Sequence, residues 1–339
     1  MNASLATQLQ HAGQWRLLER LRSLDLDRRA KLANQLADLD LAFWRELTLP
    51  DHWAIDWQSR AARALPPPAI RLAEQSSPHS AEEARQCGAE ALAAGKIAAV
   101  MVAGGQGTRL GFPHPKGMFP LGPVSGRTLF QIHVDRLRAV ARRYQARIPL
   151  LVMTSDATHD ETARYFEEHR RFGLARQDFG IFCQKCLPTI DAESGELLFE
   201  SAERLSLSPD GHGGMLPALA ASGWLQRLRS EGIEQLFYFQ VDNPLTQIAD
   251  PQFIGYHLLL DSELTTQVVA KRSHGERVGN VVSIDGRMEV IEYFLLEKYP
   301  EIAARADENG ALKLWAGNLA VHLFSLDFLE RAAESEESL

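Results

Sequence analysis

The sequence predicts an α/β fold, a doubly wound and mostly parallel sheet preceded by an N-terminal helical region. Three observations predict it. The short apolar runs Ile97–Ala103, Ile148–Met153 and Leu236–Val241 suit strands buried on both faces. Helical segments separate those runs, which gives a β-α-β order. The first run ends in glycines, at the edge of an open sheet where ligands bind.

The elements follow in order. In residues 1–95, Trp15, Leu18, Leu21, Leu32, Leu36, Leu39 and Phe43 recur at helix-compatible intervals between charged residues. Pro50 and Pro66-Pro67-Pro68 punctuate this region, and Ala81–Ala94 reads as one more helix. No residue set there suggests chemistry, so 1–95 reads as a packing appendage to a domain spanning 96–339. Thr128 opens a helix with Gln131 three residues on, the pattern of a capping box. Phe130, Val134, Leu137, Ala141 and Tyr144 give that helix one apolar stripe. Glu161–His169 reads as helical, and Leu216, Leu219 and Leu228 mark a further helix that stops at Gly232. Val278–Ile284 and Arg287–Tyr293 flank Asp285-Gly286, a two-residue hairpin signal. Counting outward from that turn sets Gly279 opposite Glu292 on the same face, which leaves a gap beside a carboxylate. The polar, acidic stretch Glu330–Leu339 is expected to be frayed or solvated.

Bulk properties narrow the function. At 339 residues about two structural units are expected. A formal charge of −8 without a long Lys/Arg run argues against a nucleic-acid or anionic-membrane surface. No apolar run approaches the ~18–20 residues of a membrane helix, and Met1–Gln10 lacks the pattern of a secretory signal. Three cysteines do not make a disulfide framework, and Cys183-x-x-Cys186 has no second pair to complete a zinc site. The expected compartment is the cytoplasm.

The segment after the first strand reads Ala103-Gly104-Gly105-Gln106-Gly107-Thr108-Arg109-Leu110-Gly111, then Pro115-Lys116-Gly117. Glycines let backbone N–H groups approach an anion without Cβ interference. Arg109 and Lys116 add a planar guanidinium and a mobile ammonium, so the whole suits a polyphosphate. It is not a P-loop, because Lys116 is followed by Gly117 and Met118. Nor is it the dinucleotide fingerprint, since the glycine after Gly105-x-Gly107 comes one place late. Asp242 ends a buried strand at the same sheet edge, where a carboxylate can hold Mg²⁺ with phosphate oxygens and water. Gly211-His212-Gly213-Gly214 precedes a helix and offers a second anion- or sugar-accepting turn.

These segments resemble the eukaryotic-type UDP-N-acetylhexosamine pyrophosphorylases and their UDP-sugar pyrophosphorylase relatives. The likeness rests on the glycine loop and on Thr128-Leu129-Phe130-Gln131, Pro209-Asp210-Gly211-His212-Gly213-Gly214, Val241-Asp242-Asn243 and Ala249-Asp250-Pro251. It continues through Val278-Gly279, Val290-Ile291-Glu292-Tyr293 and Ala316-Gly317-Asn318, covering about residues 96–328. The resemblance implies a Rossmann-like, GT-A-like nucleotidyltransferase that joins UTP and a sugar 1-phosphate into a UDP-sugar and pyrophosphate, with Mg²⁺. It implies N-acetylglucosamine 1-phosphate as the sugar substrate, with glucose 1-phosphate or a broad sugar range as alternatives. Arg109 and Lys116 become the catalytic cations on the leaving pyrophosphate. Nucleotide contacts fall to Val102, Ala103, Gly104, Gly105, Gly107, Gln184, Gly211 and Asp242, with Gln184 reading uracil and Asp242 holding the metal. Sugar contacts fall to His212, Gly279, Glu292 and Asn318. Two departures stand out. Asparagine is the expected residue at His212 in N-acetylhexosamine members, whereas histidine is familiar in the UDP-glucose and UDP-sugar relatives. Family members also continue past Ala316-Gly317-Asn318 into an extension that contributes a phosphate-site lysine. A catalytically weak nucleotide-sugar-binding module is therefore the alternative of another class.

Overall fold

The computed structural model describes residues 3–37, 39, 55–72, 76–191 and 193–335; Phe43, Pro50 and residues 336–339 lie outside them. Two compact units form, one from Met1–Asp56 with Lys185–Asp210, the other from Trp57–Gln184 with Gly211–Leu339. The division expected at residue 95 is thus not the one found. The helix Ala81–Ala93 belongs to the larger unit because it crosses the helix Pro251–Leu259 at two glycines. A Cβ on Gly88 would stand 1.9 Å from the Pro251 carbonyl oxygen, and one on Gly255 would stand 1.7 Å from that of Ala84.

The smaller unit packs the helices Ala3–His11, Trp15–Ser23 and Leu26–Ala37 around Leu9, Leu17, Leu18, Leu21, Leu32 and Leu36. Leu17, rather than Trp15, completes the buried stripe of the second helix; Trp15 is 58% exposed. The short strands Cys186–Pro188 and Leu207–Pro209 pair antiparallel, and Leu197 and Leu205 between them join the same core.

The larger unit is built on eight strands. These are β1 (Ile97–Val102), β2 (Leu150–Thr154), β3 (Phe179–Cys183), β4 (Gln235–Gln240), β5 (Leu264–Ala270), β6 (Asn280–Ile284), β7 (Arg287–Ile291) and β8 (Ala316–Ser325). Their order is β3-β2-β1-β4-β8-β6-β7, with β5 also paired to β8. The α/β expectation holds, but the sheet is mixed. Strands β3, β2, β1 and β4 are parallel, whereas β8 runs antiparallel to β4, β5 and β6, and β6 to β7.

Alternation along the parallel strands divides the core into two layers. Ala99, Met101, Val152, Phe237 and Phe239 face Phe130, Val134, Leu137, Phe166 and Ile254. Ala98, Val100, Leu151, Met153 and Leu236 face Leu219, Leu225, Leu228, Leu326 and Leu329. With helices on both faces the strands must be apolar throughout, which explains the uninterrupted runs. The helix Leu129–Tyr144 starts where expected, with Thr128 Oγ1 accepting from Gln131 N at 3.3 Å. A reciprocal capping box occurs instead at Ser80 and Glu83. The helix expected through Leu228 is two helices, Met215–Ala221 and Trp224–Ser230, broken at Gly223 with φ 76°. Glu330 is not frayed: it lies in the helix Leu326–Glu334, which Ser325 caps and Leu326 and Leu329 anchor.

Two features position a site. The chain passes from β1 to β2 to β3 and then returns to β4 on the other flank of β1, so the crevice between the carboxyl ends of β1 and β4 is the topological switch point. The hairpin has the expected register, Ile284 opposite Arg287 and Asn280 opposite Ile291, with Asp285 and Gly286 at φ 51° and 82°. The larger unit's chain leaves at Gln184 and resumes at Gly211, and Gln184 Nε2 donates to the Gly211 carbonyl at 3.4 Å.

Candidate functional site

The glycine loop begins where β1 ends, and Ala103 N donates to the Met153 carbonyl at 2.7 Å. Beyond it, no backbone carbonyl among the described residues accepts from the amides of Gly104, Gly105 or Gln106. The loop then folds back on itself, Gly107 N donating to the His114 carbonyl at 2.9 Å and Lys116 N to that of Gly105 at 3.0 Å. Close approach of backbone requires glycine at 107, and at 104 a side chain would press on a neighbouring amide. A Cβ on Gly107 would stand 2.8 Å from the Phe112 carbonyl oxygen, and one on Gly104 would stand 2.8 Å from Gln184 Oε1. Gly104 therefore admits the Gln184 amide, which is 6% exposed, into the loop.

Lys116 spans the crevice. Its backbone is tied to the loop after β1, and its Nζ meets Asp242 Oδ2, just past β4, at 2.7 Å. The two side chains are 24% and 42% exposed, so the pair is open to exchange with an incoming anion or cation. Arg109 stands on the single 3₁₀ turn Thr108–Leu110, exposed and without a hydrogen bond or ion pair among the described residues. Val102 closes the floor, its carbonyl accepting from Val241 N at 3.0 Å.

The second cluster lies on the antiparallel strands. A Cβ on Gly279 would stand 3.4 and 3.5 Å from the two Glu292 carboxylate oxygens and 3.0 Å from Val290 Cγ1, so Gly279 faces that carboxylate as the hairpin register predicts, but the space beside it is narrowed by Val290. Asn318 N donates to the Gly279 carbonyl at 2.8 Å, and Asn318 Oδ1 accepts from Ala320 N at 2.9 Å. Between the clusters, His212 Nδ1 meets the Tyr238 hydroxyl at 2.5 Å and its Nε2 lies 3.3 Å from Gln240 Nε2. Burial of the ring pulls the His212 pKa below its ordinary value, while the charges of Asp242 and Glu292 pull it back up. Burial likewise raises the Tyr238 pKa, which keeps that hydroxyl protonated.

The structure thus brings together Gly104, Gln184 and Gly211, joins Gly105, Lys116 and Asp242, and joins Gly279, Glu292 and Asn318, with His212 between the last two sets. Val102, Ala103 and Gly107 hold the strand end and the loop, and Arg109 is tied to none of these sets. Several supporting residues escape sequence reasoning. Ser155, 1% exposed, donates its Oγ to the Gly104 carbonyl at 2.6 Å and is itself bonded to Thr158. Its place, directly after the apolar run of β2 at the same sheet edge, is the signal that could have found it. Lys271, 8% exposed, donates to Oδ1 of Asn280, the residue after Gly279, at 2.9 Å, and nothing in its sequence context marks it.

Residues 55–337 match the profile of the UTP–glucose-1-phosphate uridylyltransferase family. The chain belongs to this family. Within it, the chain is 34% identical over 345 residues to the human "UDP-N-acetylhexosamine pyrophosphorylase-like protein 1", covering 98% of this chain and 67% of that protein. It is 38% identical over 247 residues to the UDP-N-acetylglucosamine pyrophosphorylase of Saccharomyces cerevisiae, covering 72% of this chain and 51% of that one. The crystal structure of the Trypanosoma brucei UDP-N-acetylglucosamine pyrophosphorylase in complex with inhibitor superimposes with a TM-score of 0.83 at 30% identity. That match covers 99% of this chain and 68% of the trypanosomal one. The chain thus spans between 51% and 67% of the length of such curated relatives. Among the described residues no helix is long and apolar enough to cross a membrane.

Proposed function

We propose that this protein is a UTP:sugar-1-phosphate uridylyltransferase, with N-acetylglucosamine 1-phosphate as its sugar substrate and UDP-N-acetylglucosamine and pyrophosphate as products. The observation that carries the reading is the Lys116–Asp242 pair across the switch point, beside the unbonded amides of Gly104 and Gly105. That crevice offers main-chain donors, one mobile cation and one carboxylate, the set a nucleoside triphosphate needs. Kinship with proteins named UDP-N-acetylglucosamine pyrophosphorylase supports the choice of sugar.

The chemistry follows from charge. A sugar 1-phosphate oxygen attacks the α-phosphorus of UTP, a new P–O bond forms, and the bond to the β-phosphate oxygen breaks as pyrophosphate departs. The attacking oxygen is already ionised, so no general base is needed, and positioning and charge neutralisation carry the rate. Gly104 and Gly105 cradle the phosphates, Gly107, whose own amide is held by the His114 carbonyl, fixes the loop behind them, and Val102, Ala103 and Gly211 lie along the nucleotide. Gln184 presents an amide donor and acceptor to uracil. Lys116 and Arg109 neutralise the leaving pyrophosphate. His212, Gly279, Glu292 and Asn318 hold the sugar, its hydroxyls entering the space beside Gly279.

Asp242 suits Mg²⁺. No cluster of three or more His, Cys, Asp or Glu side chains that could hold a metal occurs among the described residues, so the protein would supply one carboxylate and the substrates the rest. Mg²⁺ accepts that arrangement, because it keeps several waters and binds through one or two carboxylates plus substrate phosphates. When bound it would align the phosphates and offset their charge. For compartment we propose the cytoplasm, on the odd and small number of cysteines.

One observation favours a second reading. His212 is held by Tyr238 beside the sugar cluster, and its ring suits a hydroxyl better than an N-acetyl group, which makes glucose 1-phosphate the competing substrate. Pyrophosphate release from UTP and Mg²⁺ with a panel of sugar 1-phosphates tests both. Release with N-acetylglucosamine 1-phosphate above all others supports the first reading; preference for glucose 1-phosphate supports the second. UDP-sugar binding without any release defeats both.

A further inference from the structure

We propose that His133 is a positioning residue for Asp242, and that the helix Leu129–Tyr144 sets both members of the Lys116–Asp242 pair. The inference rests on the uridylyltransferase reading of that pair. His133 is 1% exposed, and its Nε2 lies 2.8 Å from the Val241 carbonyl oxygen. A carbonyl can only accept, so Nε2 carries the proton. Burial holds the His133 pKa down to about 4, which keeps the ring neutral and the tautomer fixed near neutral pH.

The bonded carbonyl belongs to the peptide that leads into Asp242. On its other side Val241 N is tied to the Val102 carbonyl at 3.0 Å, so the strand end is clamped from two directions. One turn along the helix, Arg136 Nη1 donates to the Thr246 carbonyl at 3.5 Å. Residues 133 and 136 lie on one helix face and hold both ends of the turn 241–246. At the start of the same helix the Phe130 ring lies under Gly117, where a Cβ would stand 2.2 Å from it. Gly117 follows Lys116 directly. One helix therefore fixes the two backbones whose side chains meet at 2.7 Å.

A purely structural histidine is a poor account of this position. The ring packs 5.1 Å from that of Phe239 in an apolar layer, and its Nδ1 is buried with no hydrogen-bond partner among the described residues. An unpaired buried acceptor is a cost that an apolar side chain would avoid. What an apolar side chain cannot supply is the donor to Val241.

The test is a double-mutant cycle. His133→Leu and His133→Met keep bulk and remove the donor, whereas His133→Gln keeps an N–H at similar reach. Each is measured alone and with Asp242→Asn for kcat, KM for UTP and Tm, using pyrophosphate release. We expect His133→Leu to lower kcat/KM about 10- to 100-fold, the range found when a partner orienting an active-site ligand is lost. His133→Gln should recover most of that loss, and adding His133→Leu to Asp242→Asn should cost nothing further. His133→Met serves if the leucine variant does not fold. Losses that multiply with Asp242→Asn, an unchanged kcat/KM with a lowered Tm, or a glutamine variant no better than leucine overturn the proposal. If the wild type releases no pyrophosphate with any sugar, the functional reading fails separately, and calorimetric UTP affinity across the same cycle decides the role of His133. A wild type that does not bind UTP at all overturns both.

Discussion

Past β1 and β4, where the strands run parallel, the chain presents main-chain amides and the Lys116–Asp242 ion pair; among β6, β7 and β8, where directions alternate, it presents Gly279 just before β6, the Glu292 carboxylate just past β7 and Asn318 within β8. Topology explains the contrast. Parallel strands bring their carboxyl ends to one edge, so several loops converge there with their amides and charges. An antiparallel hairpin instead sets residues face to face by register, so a position without a side chain can be placed directly beside a carboxylate. The first arrangement suits a reaction whose charge changes, the second a neutral, hydroxyl-rich group that must only be held. Losses in the first half should therefore fall on kcat or on the KM of UTP, and losses in the second on the KM of the sugar.

Lys116→Ala is the strongest way to break this division. It should reduce kcat by about 10²- to 10³-fold, the cost of losing one preorganised group aimed at developing charge. Near-normal turnover in a pyrophosphate-exchange assay would remove Lys116 from the mechanism. Gly104→Ala comes next, since its Cβ would press on Gln184 Oε1 from 2.8 Å. Displacing one base-reading contact should raise KM for UTP about tenfold and leave KM for the sugar unchanged. Glu292→Gln should show the mirror image, with KM for the sugar 1-phosphate up about fivefold and KM for UTP unmoved. If either variant shifts both constants equally, the two halves are not separable.

A separate effect is expected on stability against pH. Burial holds the pKa values of His133, His257 and His322 at about 4 in the folded protein. In the unfolded chain each titrates near 6.5, so between those values the unfolded state binds more protons and stability falls with falling pH. Their contribution is complete above pH ~6.5 and drains away towards pH ~4, by about 1–3 kcal/mol per histidine. Denaturant unfolding at pH 7.5, 6, 5 and 4 measures it; a flat profile across that range rules it out. Because His133 and His257 sit on helices packed against the parallel strands and His322 lies in β8, replacing His322 by Phe should flatten only part of the slope.

The same contrast governs what could be read in advance. The parallel half was legible because burial on both faces demands long apolar runs, and because glycines and Lys116 follow directly on one of them. The hairpin was legible through Asp285-Gly286, a pair whose backbone preference matches the turn it makes. Strands β5 and β8 were not. β5 is only half-buried, so its Thr and Gln residues blur the pattern, and β8 shifts register between Asn318 and His322, where Ala320 takes φ 50°. The polar supports were hidden for another reason. Tyr238 and His133 are single residues in apolar surroundings, and only the fold shows which carbonyl or ring each one meets. The boundary of the smaller unit was beyond sequence reasoning because that unit is assembled from two separated stretches.

One further consequence comes from the bond between Gln184 and Gly211. The segment 185–210 departs from and rejoins the larger unit at two residues already fastened together, so the sheet does not feel how long the detour is. Closing a longer loop costs only about 0.6 kcal/mol for each doubling of its length. Insertions and deletions along that detour are therefore cheap for the larger unit, and the detour can diverge among relatives while Gln184 and Gly211 at its two roots stay in place.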